Sequence, residues 1–416
     1  MRGRVTIVSG NSLCRNPRVL KEASALAESG LEVEVLGAWS SSVLRTEDLG
    51  ILATAKFLFS PVLDCESRGL SDRFLALLYR AMAKGARVGY QLTGTSSRWQ
   101  FGPVTGALAR AVRSRHTDLA IAHSESGLAA VDAISQAETR VGVDLEDWYS
   151  EDLLPEARRS RPVEFLRRLE KRILDGGAYA SATSRSMSEA VAQEYGCSAP
   201  AVIYNAFPWA DRAAMDGLSK DRLGRRRPSI HWYSQTLGEG RGLGELLAAL
   251  NLVRTEAEVH LRGQLAEGFQ SWLRARIPDS WRDRIFIHEP VPNAELLSRI
   301  AEHDVGFAGE MKYCRNKEVT VSNKILHYLL AGLAVVASDT AGQREVEKSA
   351  TGAVHLYPSG DANALALRLN QLLESAQLMQ SSKASALKAA AGTYCWEIQE
   401  KVLLASVGQA LGRPVQ

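Results

Sequence analysis

Residues 5–36 read VTIVSGNSLCRNPRVLKEASALAESGLEVEVL, and this stretch decides the fold. Val5 to Val8 is a β-rich run that breaks at once into Ser9-Gly10-Asn11. Pro17 opens a helix, where its missing N–H costs nothing because the first turn has no partner for it. Val19, Leu20, Ala23, Leu26 and Ala27 keep helical spacing, Gly30 closes the helix, and Leu31 to Leu36 is a second strand. Strand, loop, helix and strand in this length make a βαβ unit, which implies a parallel sheet.

The same rhythm extends outward. Strands are expected at Ile51 to Phe59, Leu119 to His123, Arg140 to Asp144, Ala178 to Thr183 and Ala201 to Tyr204. Helices are expected at Asp72 to Gln91, Pro103 to Arg115 and Pro162 to Leu174. Between Phe207 and Pro228 the rhythm fails, in a stretch holding Arg222, Arg225, Arg226 and Arg227 that reads as a linker. A second α/β series follows. Its strands are expected at Ile230 to Tyr233, Val259 to Leu261, Ile285 to Ile287, Val305 to Ala308, Ala334 to Ala337 and Ala353 to Leu356. Its helices are expected after Gly244, near Glu295 to Ala301, Asn323 to Ala331 and Asp361 to Leu373, with a last helix at Tyr394 to Leu411. The expected domains are therefore 1–206 and 229–393, joined by 207–228.

Composition narrows the function classes. Of 416 residues, 45% are hydrophobic and 23% charged, as in a folded globular chain. Fifty basic against 47 acidic residues leave a net charge of +3, which gives no support for a dedicated nucleic-acid binder. The five cysteines are scattered and never form C-x-x-C, so neither a zinc site nor a disulfide framework is expected, and a reducing, cytoplasmic compartment is the simplest reading. No window approaches the ~20 apolar residues of a membrane span, and the N-terminus lacks the apolar core of a signal peptide.

Ligands of open α/β sheets sit beyond the carboxyl ends of the strands, so polar residues there are the candidates. Gly10 and Asn11 follow the first strand and precede a helix start, a setting that favours an anion, although a sharp turn needs Gly10 alone. Gly238 to Gly244 carries Arg241 among freed backbone N–H groups, which suits a diphosphate. A G-x-G-x-x-G fingerprint fails there: from Gly238 the third glycine would fall at Leu243, and from Gly240 at Glu245. Ser322 and Asn323 are good N-caps, but Lys324 in the first turn opposes the helix dipole by roughly 0.3–1 kcal/mol, a penalty an anionic ligand would remove. His123, with Asp144, Glu146 and Asp147 after a later strand, supplies polar anchors near neutral pH or a plain solvated turn.

The run Ser322-Asn323-Lys324-Ile325-Leu326-His327-Tyr328-Leu329-Leu330-Ala331-Gly332-Leu333-Ala334-Val335-Val336-Ala337-Ser338-Asp339, continued by Gly342-Gln343-Arg344-Glu345-Val346, resembles the donor-site region of family-4-type glycosyltransferases. Asn16-Pro17-Arg18-Val19 and the Arg-Gly-Leu of Tyr233 to Leu247 are similar to the same group. The resemblance implies a GT-B fold, two Rossmann-like domains facing across a cleft, with the last helix crossing back to the first domain. It implies transfer of a sugar from a UDP- or GDP-linked donor to a glycan or lipid-linked acceptor, with retention and no required metal or cofactor.

Residue by residue, the resemblance gives Arg241 the task of holding the donor diphosphate. Lys324, with the backbone of Ser322 and Asn323, would share it. Gly10 and Asn11 would approach the diphosphate and sugar, and His123 the sugar and acceptor, beside Asp144 and Glu146. A family arginine falls near Gln235, and a ribose-binding glutamate aligns with His327. The glutamate near the sugar is assigned to Glu310, with Glu318 as competitor. Gln235 and His327 also leave room for a non-catalytic GT-B module that acts as a binding or assembly partner. Two basic amphipathic stretches, Arg158 to Arg172 and Asp72 to Gln91, suit peripheral contact with an anionic membrane on its inner face, or equally a core-facing stripe with a solvated basic side.

Overall fold

The βαβ unit of the opening stretch forms. In the computed structural model, β1 (Arg4–Val8) leads through a 3-10 turn to the helix Pro17–Glu28 and then to β2 (Glu32–Trp39), which pairs parallel with β1. Asn16 caps the helix by accepting from the Val19 N–H at 3.1 Å, with Pro17 just inside it. The structure describes residues 3–66, 69–135, 139–224 and 227–415.

The described chain forms two units. Met1–Thr183, Met187–Ile203 and Glu400–Gln416 make the first, and Ser184–Ser186 with Tyr204–Gln399 the second. The first sheet adds β3 (Leu58–Asp64), β4 (Leu119–Ala122), β5 (Arg140–Leu145), β6 (Tyr179–Ala182) and β7 (Ala201–Val202), in the order β3-β2-β1-β4-β5-β6-β7. The second contains β8 (Ser229–Leu237), β9 (Glu258–Leu265), β10 (Ile285–His288), β11 (Val305–Ala308), β12 (Ala334–Ser338) and β13 (Val354–Tyr357), in the order β10-β9-β8-β11-β12-β13. Every pairing is parallel. Both sheets are thus doubly wound, and their strand order reverses between β1 and β4 and between β8 and β11. Those two points are where such sheets open a crevice for a ligand.

Alternation along a strand feeds two cores. On β12, Ala334 and Val336 face one cluster with Trp232, Val259 and Leu246, while Val335 and Ala337 face another with Ile325, Tyr328 and Leu329. Such two-sided burial is why these strands read as continuous apolar runs.

Some of the secondary-structure expectations need correction. Ile51 to Phe59 is not a strand. Ser41 caps a helix, Ser42–Leu52, by accepting from the Leu44 N–H, and β3 starts only where Leu58 can pair with Glu34. The seventh strand stops at Val202. The helix Ala376–Gly392 gave no clear signal, being rich in alanine and serine without a strong apolar stripe. The irregular stretch after Phe207 groups with the second unit, where Asp216 pairs with Arg299 at 2.5 Å and Arg222 with Asp304 at 3.2 Å. Arg225 and Arg226 lie outside the described residues. The last helix, Trp396–Leu411, passes from the second unit into the first at Glu400. Among the described residues, no helix is long and apolar enough to cross a membrane.

Candidate functional site

In the second unit the candidates gather where β8 and β11 end. The turn after β8 needs Gly240 and Gly242, at φ +75° and +78°, because L side chains avoid that region. Gly242 then heads the helix Leu243–Leu250, and a Cβ there would lie 2.8 Å from the Gly309 carbonyl. The glycine turn therefore rests directly on the end of β11, one residue before Glu310. Arg241 projects from that turn, exposed, with its Nη1 donating to Ser234 Oγ at 2.8 Å. Gln235 is exposed on the same strand end.

Glu310 is held from several sides. Its N–H donates to Ser338 Oγ at 2.8 Å, an oxygen that also accepts from Gln343 Nε2 at 2.9 Å. Its carboxylate accepts from Ser322 Oγ at 2.9 Å and from the Lys324 ammonium at 3.0 Å. Burial works against its ionisation, but Lys324 outweighs that and keeps the carboxyl below its ordinary range. The helix Asn323–Ala331 starts at this point, with Ser322 as N-cap. The unfavourable dipole position of Lys324 is thus already balanced in part by an internal carboxylate. Lys324 also lies over the Trp232 ring, 5.6 Å from its centre. Glu318, the competitor, is committed elsewhere: it accepts from the Ala341 N–H at 3.1 Å and from Arg344 at 3.2 Å. His327 stacks on Phe207, with ring centres 3.4 Å apart, and its Nδ1 meets the Tyr233 hydroxyl at 2.5 Å.

In the first unit the polar residues at the β1/β4 point form a closed cluster. Arg18 grips Asp144 with two bonds of 2.9 and 2.6 Å and lies 3.1 Å from Glu22. His123 approaches Glu22 at 3.1 Å, a charge contact and not a directed hydrogen bond. All four side chains are shielded from solvent. Burial alone would lower the His123 pKa, yet Glu22 and Asp144 overcome it and raise it. Glu22, His123 and Asp144 bring one ligand atom each within 4.8 Å of one another, but the Arg18 guanidinium already serves both carboxylates.

Beside this cluster lies a cavity of about 590 Å³, lined among others by Asn11, Phe101, His123, Glu146, Tyr149 and Arg161. Asp144 does not reach it. Its oxygens serve Arg18 and Ser181, the latter at 2.5 Å, so its part is to hold Arg18 and His123 in place. Burial lifts the Glu146 carboxyl to about 7; Arg18 opposes the rise, while Asp147 and Asp144 add to it. Gly10, at φ +74°, has Leu108 Cδ1 2.9 Å from where a Cβ would sit, so packing as well as any ligand demands glycine there.

Sequence reasoning missed Arg18, Glu22, Tyr233, Ser234 and Ser338. Arg18 and Glu22 did leave a signal: two opposite charges four residues apart on the face that carries Val19, Ala23 and Leu26. The serines left none.

Residues 228–375 match the model of a family described as "Glycosyl transferases group 1". No curated protein matches the sequence. Among solved structures, the chain is similar to Anabaena Alr3699/HepE, crystallised with UDP: 15% identity, 98% of this chain and 100% of that one covered, TM-score 0.66. It is also similar to a sucrose-phosphate synthase from Thermosynechococcus elongatus, at 13% identity, 99% and 100% coverage and TM-score 0.68. A third, a trehalose-6-phosphate protein from E. coli bound with UDP-2-fluoro glucose, matches at 12% identity, 97% and 99% coverage and TM-score 0.65. At these identities the likeness establishes the fold, a GT-B arrangement of two Rossmann-like sheets.

Proposed function

We propose that this chain, whose residues 228–375 match the group 1 glycosyltransferase model, moves a sugar from a UDP- or GDP-linked donor to a hydroxyl of a glycan or lipid-linked acceptor, with retention. The bond from the anomeric carbon to the diphosphate oxygen breaks. A bond to the acceptor oxygen forms on the same face, and the acceptor proton passes to the departing diphosphate. Negative charge grows on that diphosphate as the bond stretches. Arg241, exposed on its glycine turn, and Lys324, at a helix start, are the groups that neutralise it, together with the Ser322 and Asn323 N–H groups. Glu310 orients Lys324 and accepts from sugar hydroxyls, and His327 bonds the ribose.

The observation that carries the reading is the contact of Gly242 with Gly309, which sets the Arg241 turn against the Glu310–Lys324 pair inside the matched segment. Relatives of the same fold crystallised with UDP and UDP-glucose favour uridine in the donor. On the acceptor side, His123 and Glu146 are the polar groups of the first unit's cavity. A carboxyl that titrates near 7 both accepts from and donates to a sugar hydroxyl at neutral pH.

The test is release of UDP or GDP from a panel of nucleotide sugars, with the product anomer read by NMR. Turnover with one donor class and retained configuration is expected. Binding without transfer or hydrolysis of any donor would instead support the non-catalytic module, a reading that Gln235 and the Tyr233-bonded His327 favour.

A further inference from the structure

We infer that the outward face of the helix Leu70–Thr93 is a docking surface for an anionic phospholipid bilayer. The helix lies against β3, at the edge of the first sheet. It touches the body of the unit through Ala76, Tyr79 and Ala83, which are buried. Phe74, Leu77, Leu78, Met82, Val88 and Leu92 point the other way, with Phe74 70% and Leu92 79% exposed. At 100° per residue, Phe74, Leu78, Val88 and Leu92 fall within one stripe along about 27 Å of helix. A row of apolar side chains opposite the core has no role in holding the unit together.

Charge selects the occupant. Arg73, Arg80, Lys84 and Arg87 run along one flank of the stripe, all exposed, and from Arg73 to Thr93 there is no carboxylate. Apolar side chains that enter the acyl boundary while flanking cations meet anionic headgroups are the arrangement of an interfacial helix. A second copy paired antiparallel on the stripe would set cationic flank against cationic flank, which disfavours self-association.

The helix Val163–Gly176 has the same basic, amphipathic sequence and the opposite placement. Its Leu166, Leu169 and Ile173 are buried, while Arg167 pairs with Glu151 and Arg172 with Asp132. That helix is core, and docking belongs to Leu70–Thr93 alone of the two.

Docking also has a direction. Tyr90, near the end of the helix, donates to the Arg161 carbonyl at 3.0 Å, and Arg161 lines the cavity that holds His123 and Glu146. The bilayer would then lie beside the cavity rim, which favours an acceptor carried on a lipid. This last step rests on the proposed transfer; the docking does not.

The test is cosedimentation of the full chain with vesicles of equal parts phosphatidylglycerol and phosphatidylcholine, and with phosphatidylcholine alone. Binding to the anionic vesicles that weakens as salt rises is expected. The triple variant Phe74→Ser, Leu77→Ser, Leu78→Ser should lose at least about tenfold in partitioning, and Arg80→Gln with Lys84→Gln should lower binding to anionic vesicles only. The thermal shift given by UDP or GDP should stay as in the parent, which separates this test from that of the donor site. No vesicle binding, undiminished binding by the triple variant, or a dimer that the triple variant disperses would each overturn the inference.

Discussion

The two units place polar residues at the same topological point and use them differently. In the first, Arg18, His123, Glu22 and Asp144 sit at the β1/β4 reversal with no solvent access, and each is paired within the cluster. In the second, at the β8/β11 reversal, two cations, Arg241 and Lys324, stand near one carboxylate, Glu310, and Arg241 is open to solvent. A buried, balanced cluster fixes structure. A partly open cluster whose Arg241 guanidinium reaches solvent is able to change partners, as an incoming diphosphate requires.

Substitutions should separate the two roles. Arg18→Ala leaves two buried carboxylates without their cation, and loss of about 3–5 kcal/mol of stability is expected in urea unfolding. Lys324→Ala, which removes the partner of a less enclosed carboxylate, should lose less stability than Arg18→Ala yet lower kcat by about 10²–10³-fold, the effect of removing one stabiliser of a leaving charge. If Lys324→Ala instead lost stability as Arg18→Ala does, the contrast would fail.

The glycine turn gives a sharper, smaller test. Gly240→Ala and Gly242→Ala each put a side chain at positive φ, at about 1–2 kcal/mol. Only Gly242→Ala also meets the Gly309 carbonyl, whereas nothing lies within 4 Å at Gly240. Nucleotide affinity should therefore fall further in Gly242→Ala than in Gly240→Ala; equal losses in titration calorimetry would dissociate the turn from Glu310.

Acid distinguishes the units in the opposite sense. In the second unit, His231 stacks on His303 and His260 on His288, with His260 and His303 tilted against each other and Arg262, Arg222 and Asp221 around them. Burial, reinforced by neighbouring histidines, lowers His231 and takes His260 to about 2; it also takes His303 to about 4, against the pull of Asp221. Below the ordinary histidine value of about 6.5 the unfolded chain takes up protons that the folded unit refuses, so this unit loses stability as pH falls from 7 toward 4. His123 has the reverse sign. Its raised pKa contributes stability below about 6.5, lost as pH rises through the folded value. Melting followed from pH 7 to 5 should show the second unit falling first, and the double variant His260→Gln, His303→Gln should flatten that fall. Loss led by the first unit would contradict the assignment.

Much of this was legible in the sequence. Continuous apolar runs between capped helices located most strands, because parallel strands buried on both faces must be apolar throughout. The 51–59 error arose where Ile51 and Leu52 end a helix and Leu58 and Phe59 begin a strand, so that one largely apolar run spans two elements. Strand ends pointed to Arg241, Lys324, Glu310 and His123, but pattern alone does not reveal burial. Asp144 read as a site residue and is a buried support, and Lys324 read as an unmet cation although Glu310 partners it. The two basic helices, alike in spacing, differ only in which face the rest of the unit covers.

Calorimetric titration of UDP and GDP into the parent chain, Arg241→Ala and Lys324→Ala tests the donor assignment most directly. The expected result is that the parent binds one of the two nucleotides, and that each variant binds it at least about tenfold more weakly while still unfolding in one cooperative transition well above the assay temperature, since charge-assisted contacts to a diphosphate contribute about 1.5–3 kcal/mol each. Equal affinity in all three proteins, or none in the parent, would contradict it.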